Sequence, residues 1–204
     1  MPRASHQPVT LPLTRHRRRG GSSLLWRGRL RLLGAHHVDL ELHLGWLFTL
    51  VAITWLLGQA LLPLLFPGWL PAAYWGVAAT VALIDCLAGI LHELGHAAAA
   101  LGKGRRVYRI TLYGLAASIR RSNAQVKPRD QLAISMAGPI SHLLIGSLLW
   151  TAWQLAPGDN EPLRVAAAFP AISNLAAGFF NLLPVQPLDG GRAARALIAV
   201  VLRV

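Results

Sequence analysis

Four long apolar stretches dominate the chain, each separated from the next by a short polar or turn-forming segment. Leu44 to Phe66 is 23 residues broken only by Thr, Gln, Gly and one Pro, long enough as a helix to cross a hydrocarbon core of ~30 Å. Pro67-Gly68-Trp69-Leu70-Pro71 turns the chain into a second apolar run, about 72–101. A third span is expected over 131–155 and a fourth over 163–183, joined by the acidic, turn-rich Pro157-Gly158-Asp159-Asn160-Glu161-Pro162. After the fourth comes Pro184-Val185-Gln186-Pro187-Leu188-Asp189-Gly190-Gly191-Arg192. Its two prolines stop a helix, and unwound backbone at membrane depth is tolerated only where protein or a wet cavity surrounds it. The apolar piece 191–204 is shorter than the ~20 residues of a full span, so it is expected as a partial one. Elsewhere the period changes to two. Val38-Asp39-Leu40-Glu41-Leu42-His43 alternates apolar and polar residues, Trp26 to Leu33 interleaves Arg with Leu, and Val107 to Ile119 is rich in β-formers around Gly114. These patterns predict short strands, or a hairpin, lying at the membrane surface. The expected fold class is an all-α polytopic membrane protein with about four to five transmembrane helices and short membrane-associated β-strands on the cytosolic side.

Composition strengthens that picture. Hydrophobic residues make up 54% of the 204 and charged residues only 14%, against about 25% charged in soluble domains. A formal charge of +12 in a soluble protein would point to nucleic acid, but the basic residues do not form a continuous stripe. Eight Lys/Arg precede residue 44 and eight more lie between Lys103 and Arg129, while the 157–162 loop has none. Basic clusters on one side of the spans and an acidic loop on the other follow the positive-inside pattern. Nucleic acid is therefore not an expected partner; the lipid bilayer is. Residues 1–23, rich in Pro, Arg, Ser and Gly, are expected to be a disordered basic cytosolic tail, and 24–204 a single membrane domain of a multi-pass protein in the cell membrane. Cys86 has no cysteine partner in the chain and is expected as a buried thiol. No signal in the sequence sets an oligomeric state.

Candidate chemistry is concentrated in the second span, at Leu91-His92-Glu93-Leu94-Gly95-His96. On a helix, residues four apart share a face, so His92 and His96 can offer two imidazole nitrogens to one ion. Glu93, rotated by about 100°, stands beside the pair, where its carboxylate can take a proton from a water activated by the ion. Ionisable residues in an apolar span are costly and mark function. With the helix running to Leu101, His92 lies about 14 Å from its basic end at 1.5 Å per residue, inside the bilayer but nearer the cytosol. Two histidines need a third protein ligand and an open position. Only Asp85, Glu93 and Asp189 are carboxylates within the membrane layer. Asp85 shares the face of His92 but lies about 10 Å away along the helix. It is expected instead as a buried acid bonded to a neighbouring polar group, with a role in the water path as the alternative. Asp189, in the Pro/Gly break, is the better third ligand because its backbone can bend towards the histidines. Asn174 and Asn181, seven apart, share a helix face where an amide can bond substrate backbone or another helix.

His92-Glu93-Leu94-Gly95-His96 in one span, Ala137-Gly138-Pro139 in the next, and Asn181-Leu182-Leu183-Pro184 leading to Pro187-Leu188-Asp189-Gly190-Gly191-Arg192 resemble, in that order, the site-2 protease family of intramembrane zinc metalloproteases. The resemblance covers roughly residues 24–204. It implies one zinc per chain held by His92, His96 and Asp189, Glu93 as the catalytic group that activates water, and a transmembrane protein as substrate. It also implies that Asn181 lies near the substrate carbonyl and that Tyr113-Gly114 belongs to a strand pairing with substrate. The chain departs from the family at Leu115-Ala116, where many relatives have Gly-Gly, and at His142, where Ala-Gly-Pro is often followed by an asparagine three residues on. His142 is expected as a core histidine facing the bundle. Two rival readings use the same residues: a metal-binding membrane transporter, which has no use for Glu93 as a base, and a non-catalytic membrane adaptor, whose metal would be closed by four ligands.

Overall fold

A computed structural model describes residues 24–32, 36–113, 117–121 and 126–202. The expected tail at 1–23 and Gly114, Leu115 and Ala116 lie outside the described residues. The elements in chain order are β1 (Leu24–Leu32), β2 (His36–His43), α1 (Leu44–Leu56), a π-helical turn (Leu57–Leu61), α2 (Leu62–Leu65), α3 (Pro71–Gly102), β3 (Val107–Leu112), β4 (Ala117–Arg121), α4 (Pro128–Leu155), α5 (Glu161–Asn181) and α6 (Asp189–Leu202). Among the described residues, four helical stretches are long and apolar enough to cross a membrane: Leu44–Leu65, Pro71–Gly102, Pro128–Leu155 and Glu161–Asn181. The chain is a multi-pass membrane protein, and its outward faces carry the large apolar side chains that lipid requires, Phe48, Leu64 and Leu148 among them.

The elements differ from the sequence expectation in several places, the fourth span among them, which runs Glu161–Asn181 where 163–183 is expected. The first span is not one regular helix, because the π-helical turn at Leu57–Leu61 interrupts it. There Gly58 packs against the Trp75 ring, which a Cβ would meet at 2.9 Å. The third span, α4, begins at Pro128 instead of 131, since proline's fixed φ and missing N–H suit a first helical position. Asp189, expected inside the broken segment, is instead the first residue of α6. The break itself occupies Leu182 to Leu188.

The strands form one four-stranded sheet in the order β1-β2-β3-β4. β1 and β2 pair antiparallel, as do β3 and β4, while β2 and β3 run parallel. A parallel pair needs a long crossover, and here the crossover is the two spans Leu44–Leu65 and Pro71–Gly102, which carry the chain across and back. In β1 the register places Arg27 against an acidic partner. Arg27 stands opposite Glu41, and Glu41 opposite Thr111. The buried Glu41 carboxylate takes Arg27 at 2.6 Å, Arg109 at 3.2 Å and the Thr111 hydroxyl at 3.2 Å. Beneath the sheet, Val107, Ile110 and Leu112 join Ala97, Ala100, Leu101 and Ile134 in one apolar cluster. This cluster ties the sheet to the ends of α3 and α4 closest to the histidines. A second cluster, built on Leu57, Leu62, Val77, Ala78, Val81 and Val165, holds the other end of the bundle.

A candidate metal centre between α3 and α6

α3 is regular through its polar residues, so His92 and His96 project from one face as four-residue spacing dictates. Both are buried, at 7% and 6% exposure. Across from them α4 presents a matching row at the same spacing: Ile134, Gly138 and His142. The Ile134 carbonyl accepts from His96 Nδ1 at 2.7 Å. A carbonyl can only accept, so Nδ1 carries the proton and the lone pair of His96 sits on Nε2. Gly138 lies directly over the two imidazoles; a Cβ there would stand 2.3 Å from His96 Nε2 and 2.7 Å from His92 Nε2. Any side chain at this position would occupy the space into which the histidines point.

The third group arrives from 93 residues further along the chain. After α5 ends at Asn181, Leu182 to Leu188 folds back over the start of α6. The fold-back is tight enough that a Cβ on Gly190 would lie 2.1 Å from the Leu182 carbonyl oxygen, and one on Gly191 2.5 Å from that of Val185. Two glycines at the head of α6 therefore let the loop and the helix overlap. Asp189, 3% exposed, is delivered into the interior. Its Oδ2 lies 3.1 Å from His92 Nε2 and 3.0 Å from His96 Nε2, and the two nitrogens are 3.2 Å apart. Its other oxygen, Oδ1, pairs with the Arg192 guanidinium one turn on. A carboxylate in the first turn of a helix is also favoured by the helix dipole.

Three donors meet in a triangle whose sides are 3.0 to 3.2 Å. His96 Nε2 and Asp189 Oδ2 can meet at this distance only with a proton or a metal ion between them, since two bare lone pairs repel. Tetrahedral coordination at ~2.0–2.1 Å places ligand atoms ~3.3 Å apart, so the donor set fits a small divalent ion with one face of the triangle left open. Among the described residues, His92, His96 and Asp189 are the only group of three or more such donors close enough to share an ion. Glu93 is half-buried beside them, on the flank of α3.

The remaining sequence candidates divide. Asp85 is not brought to the donors: its Oδ1 accepts from Ser173 Oγ at 2.7 Å and Asn174 Nδ2 at 2.9 Å on α5. Asn174 is buried, and its Oδ1 accepts from His142 Nδ1 at 2.8 Å. Asn181 is half-buried and donates to the Ala177 carbonyl of its own helix at 3.0 Å. Tyr113, at the end of β3, is 48% exposed, with its ring 5.1 Å from that of His43. Sequence reasoning gave no account of Gly138 or Arg192 as supports, although both stand in motifs it singled out. Arg192 at Asp189 plus three is a readable helical pairing. The packing of Gly138 against the imidazoles depends on how α3 and α4 meet and carries no local signal.

No protein-family model matches the chain. Rip3 of Mycobacterium tuberculosis is 32% identical over 155 residues, 75% of this chain and 38% of Rip3. The zinc metalloprotease MJ0392 of Methanocaldococcus jannaschii is 27% identical over 172 residues, 83% of this chain and 45% of that protein. Among solved structures, the site-2 protease from Methanocaldococcus jannaschii superposes with a TM-score of 0.54 at 26% identity, covering 85% of this chain and 72% of that one. The chain belongs to the site-2 protease family. It spans about two fifths of the length of the curated relatives it matches. His92 to His96, Ala137 to Pro139 and Asp189 to Arg192 fall on α3, α4 and α6, while Asn181 ends α5 and Leu182 to Leu188 form the break before α6.

Proposed function

We propose that the chain is an intramembrane zinc metalloprotease domain that hydrolyses peptide bonds of transmembrane proteins. The observation that carries this reading is the convergence of His92 Nε2, His96 Nε2 and Asp189 Oδ2 within the apolar bundle, with Glu93 one residue from the first of them. Those three side chains would hold the ion and Glu93 would serve as base. When bound, zinc supplies Lewis acidity that polarises a carbonyl and makes water acidic enough to react near neutral pH. Glu93 accepts the proton of the attacking water and returns it to the leaving amine as the peptide bond breaks. Asn181, at the end of α5, would offer its amide to the substrate carbonyl, beside its bond to the Ala177 carbonyl. Tyr113, Gly114 and the β3 strand before them are assigned to holding an extended substrate segment, since a helical one hides its carbonyls in backbone hydrogen bonds.

The basic clusters orient the protein with the sheet and the tail at 1–23 on the cytosolic side of the cell membrane and the loop at 157–162 outside. A transporter gains nothing from a carboxylate beside a three-donor site. An adaptor's structural ion would want a fourth protein donor, and among the described residues the group contains three. Both rivals are thereby disfavoured.

Purified chain in detergent, incubated with a single-span model peptide, tests the reading. Wild type is expected to cut it, and Glu93→Gln, which keeps the size of the side chain but removes the base, is expected to lose about 10²–10⁴ in rate while keeping its zinc. Cleavage at an unchanged rate by zinc-loaded Glu93→Gln contradicts the assignment.

A further inference from the structure

The two histidines of the site are held by different means. His96 has its Nδ1–H anchored on the Ile134 carbonyl, the kind of outer partner that fixes the orientation of most metal-binding histidines. His92 has no such anchor: its Nδ1 is buried and without a hydrogen-bond partner. Besides the ring of His96, the ring of His142 packs against that of His92, with centroids 4.8 Å apart and planes tilted by 48°. His142 is itself fixed. Its Nδ1 faces Asn174 Oδ1 at 2.8 Å, and both hydrogens of the Asn174 amide are committed, to Asp85 Oδ1 at 2.9 Å and to the Pro170 carbonyl at 2.7 Å. That amide cannot turn over without breaking both bonds, so only its oxygen faces His142. Asp85 Oδ1 is held in turn by the Ser173 hydroxyl at 2.7 Å. A half-buried acid two turns from the site, an asparagine on α5 and a histidine on α4 thus make one connected path that ends on the flank of His92.

We propose that Asp85, Asn174 and His142 are positioning residues for the metal centre, replacing through ring packing the hydrogen bond that His92 Nδ1 lacks. The inference rests on the metal-site reading above. It accounts for a hydrogen-bond acceptor at position 85 inside an apolar span, which the three donors do not. It also gives His142 a task. Histidine at 142 presents a ring to His92 on one side and an N–H to Asn174 on the other.

The test is metal retention by the full chain in detergent, read as zinc lost to a competing chelator and as the visible spectrum of the cobalt-loaded protein. His142→Ala and Asp85→Leu are each expected to weaken retention about ten-fold, the lower range for outer partners of metal ligands, and to change the cobalt spectrum. Asp85→Asn keeps an oxygen that accepts from Ser173 and Asn174 and should bind as wild type does. His142→Phe keeps a ring against His92 and should lose less than His142→Ala. Because all act through one path, Asp85→Leu combined with His142→Ala should be no worse than His142→Ala alone. Unchanged retention and spectra in every variant of a protein that binds zinc overturn the inference and leave the metal centre standing. Fully additive losses, or an Asp85→Asn as defective as Asp85→Leu, overturn the path. A wild-type chain that binds no zinc overturns both this inference and the reading beneath it.

Discussion

α3 and the head of α6 deliver donors to the same point by opposite means. α3 is an unbroken helix of 32 residues, and its two histidines meet because helical geometry puts them on one face. α6 contributes Asp189 only because the chain before it is unwound from Leu182 to Leu188 and because Gly190 and Gly191 let that loop lie against the first turn. One side of the site is a rigid, locally encoded element. The other is a tertiary arrangement held by backbone proximity and by Arg192. The contrast teaches where the site is robust and where it is vulnerable: substitutions on the α3 side should act on the donors themselves, and those on the α6 side on the path that brings the carboxylate in.

The largest expected effect is that of Asp189→Ala, which removes the only donor α6 supplies. Zinc retention, measured against a chelator, should fall by more than about 100-fold, beyond the range for outer partners. Retention within a few-fold of wild type would mean that α6 is not part of the site. Next comes Gly138→Ala. Alanine is the better helix former by about 1 kcal/mol, yet its Cβ would stand 2.3 Å from His96 Nε2. The expected outcome is a protein with undiminished helicity by circular dichroism and severely reduced zinc, so helix content and metal content part company. Gly190→Ala should show the reverse order of damage. With a Cβ 2.1 Å from the Leu182 carbonyl oxygen, the loop must shift, costing about 1–3 kcal/mol of stability in detergent unfolding, and metal loss follows from that. Arg192→Gln is the mildest. The guanidinium is 39% exposed at its side chain, so loss of its pairing with Asp189 Oδ1 should weaken zinc retention by at most about ten-fold.

The same contrast governs what could be read in advance. The spans follow from runs of apolar residues, and the pairing of His92 with His96 from their spacing, because both depend only on neighbours along one helix. The position of Asp189 was legible as far as its place in a Pro/Gly break. That it heads α6, with its oxygens divided between the histidines and Arg192, was not, since this depends on the overlap of loop and helix. The parallel pairing of β2 with β3 joins segments on either side of two membrane crossings, and no local pattern encodes such a pair. Asp85 was expected to bond a neighbouring polar group, and Ser173 and Asn174 are those groups. Their link onward to His142 and the flank of His92 depends on how α3, α4 and α5 cross.

The account rests on one ion shared by α3 and α6, and X-ray absorption at the zinc edge of the purified, full chain addresses it most directly. The prediction is one zinc per chain, coordinated by nitrogen and oxygen alone at ~2.0–2.1 Å, with multiple-scattering features of two imidazoles. A sulfur scatterer from Cys86, a third imidazole from His142, or no stoichiometric zinc would each contradict it.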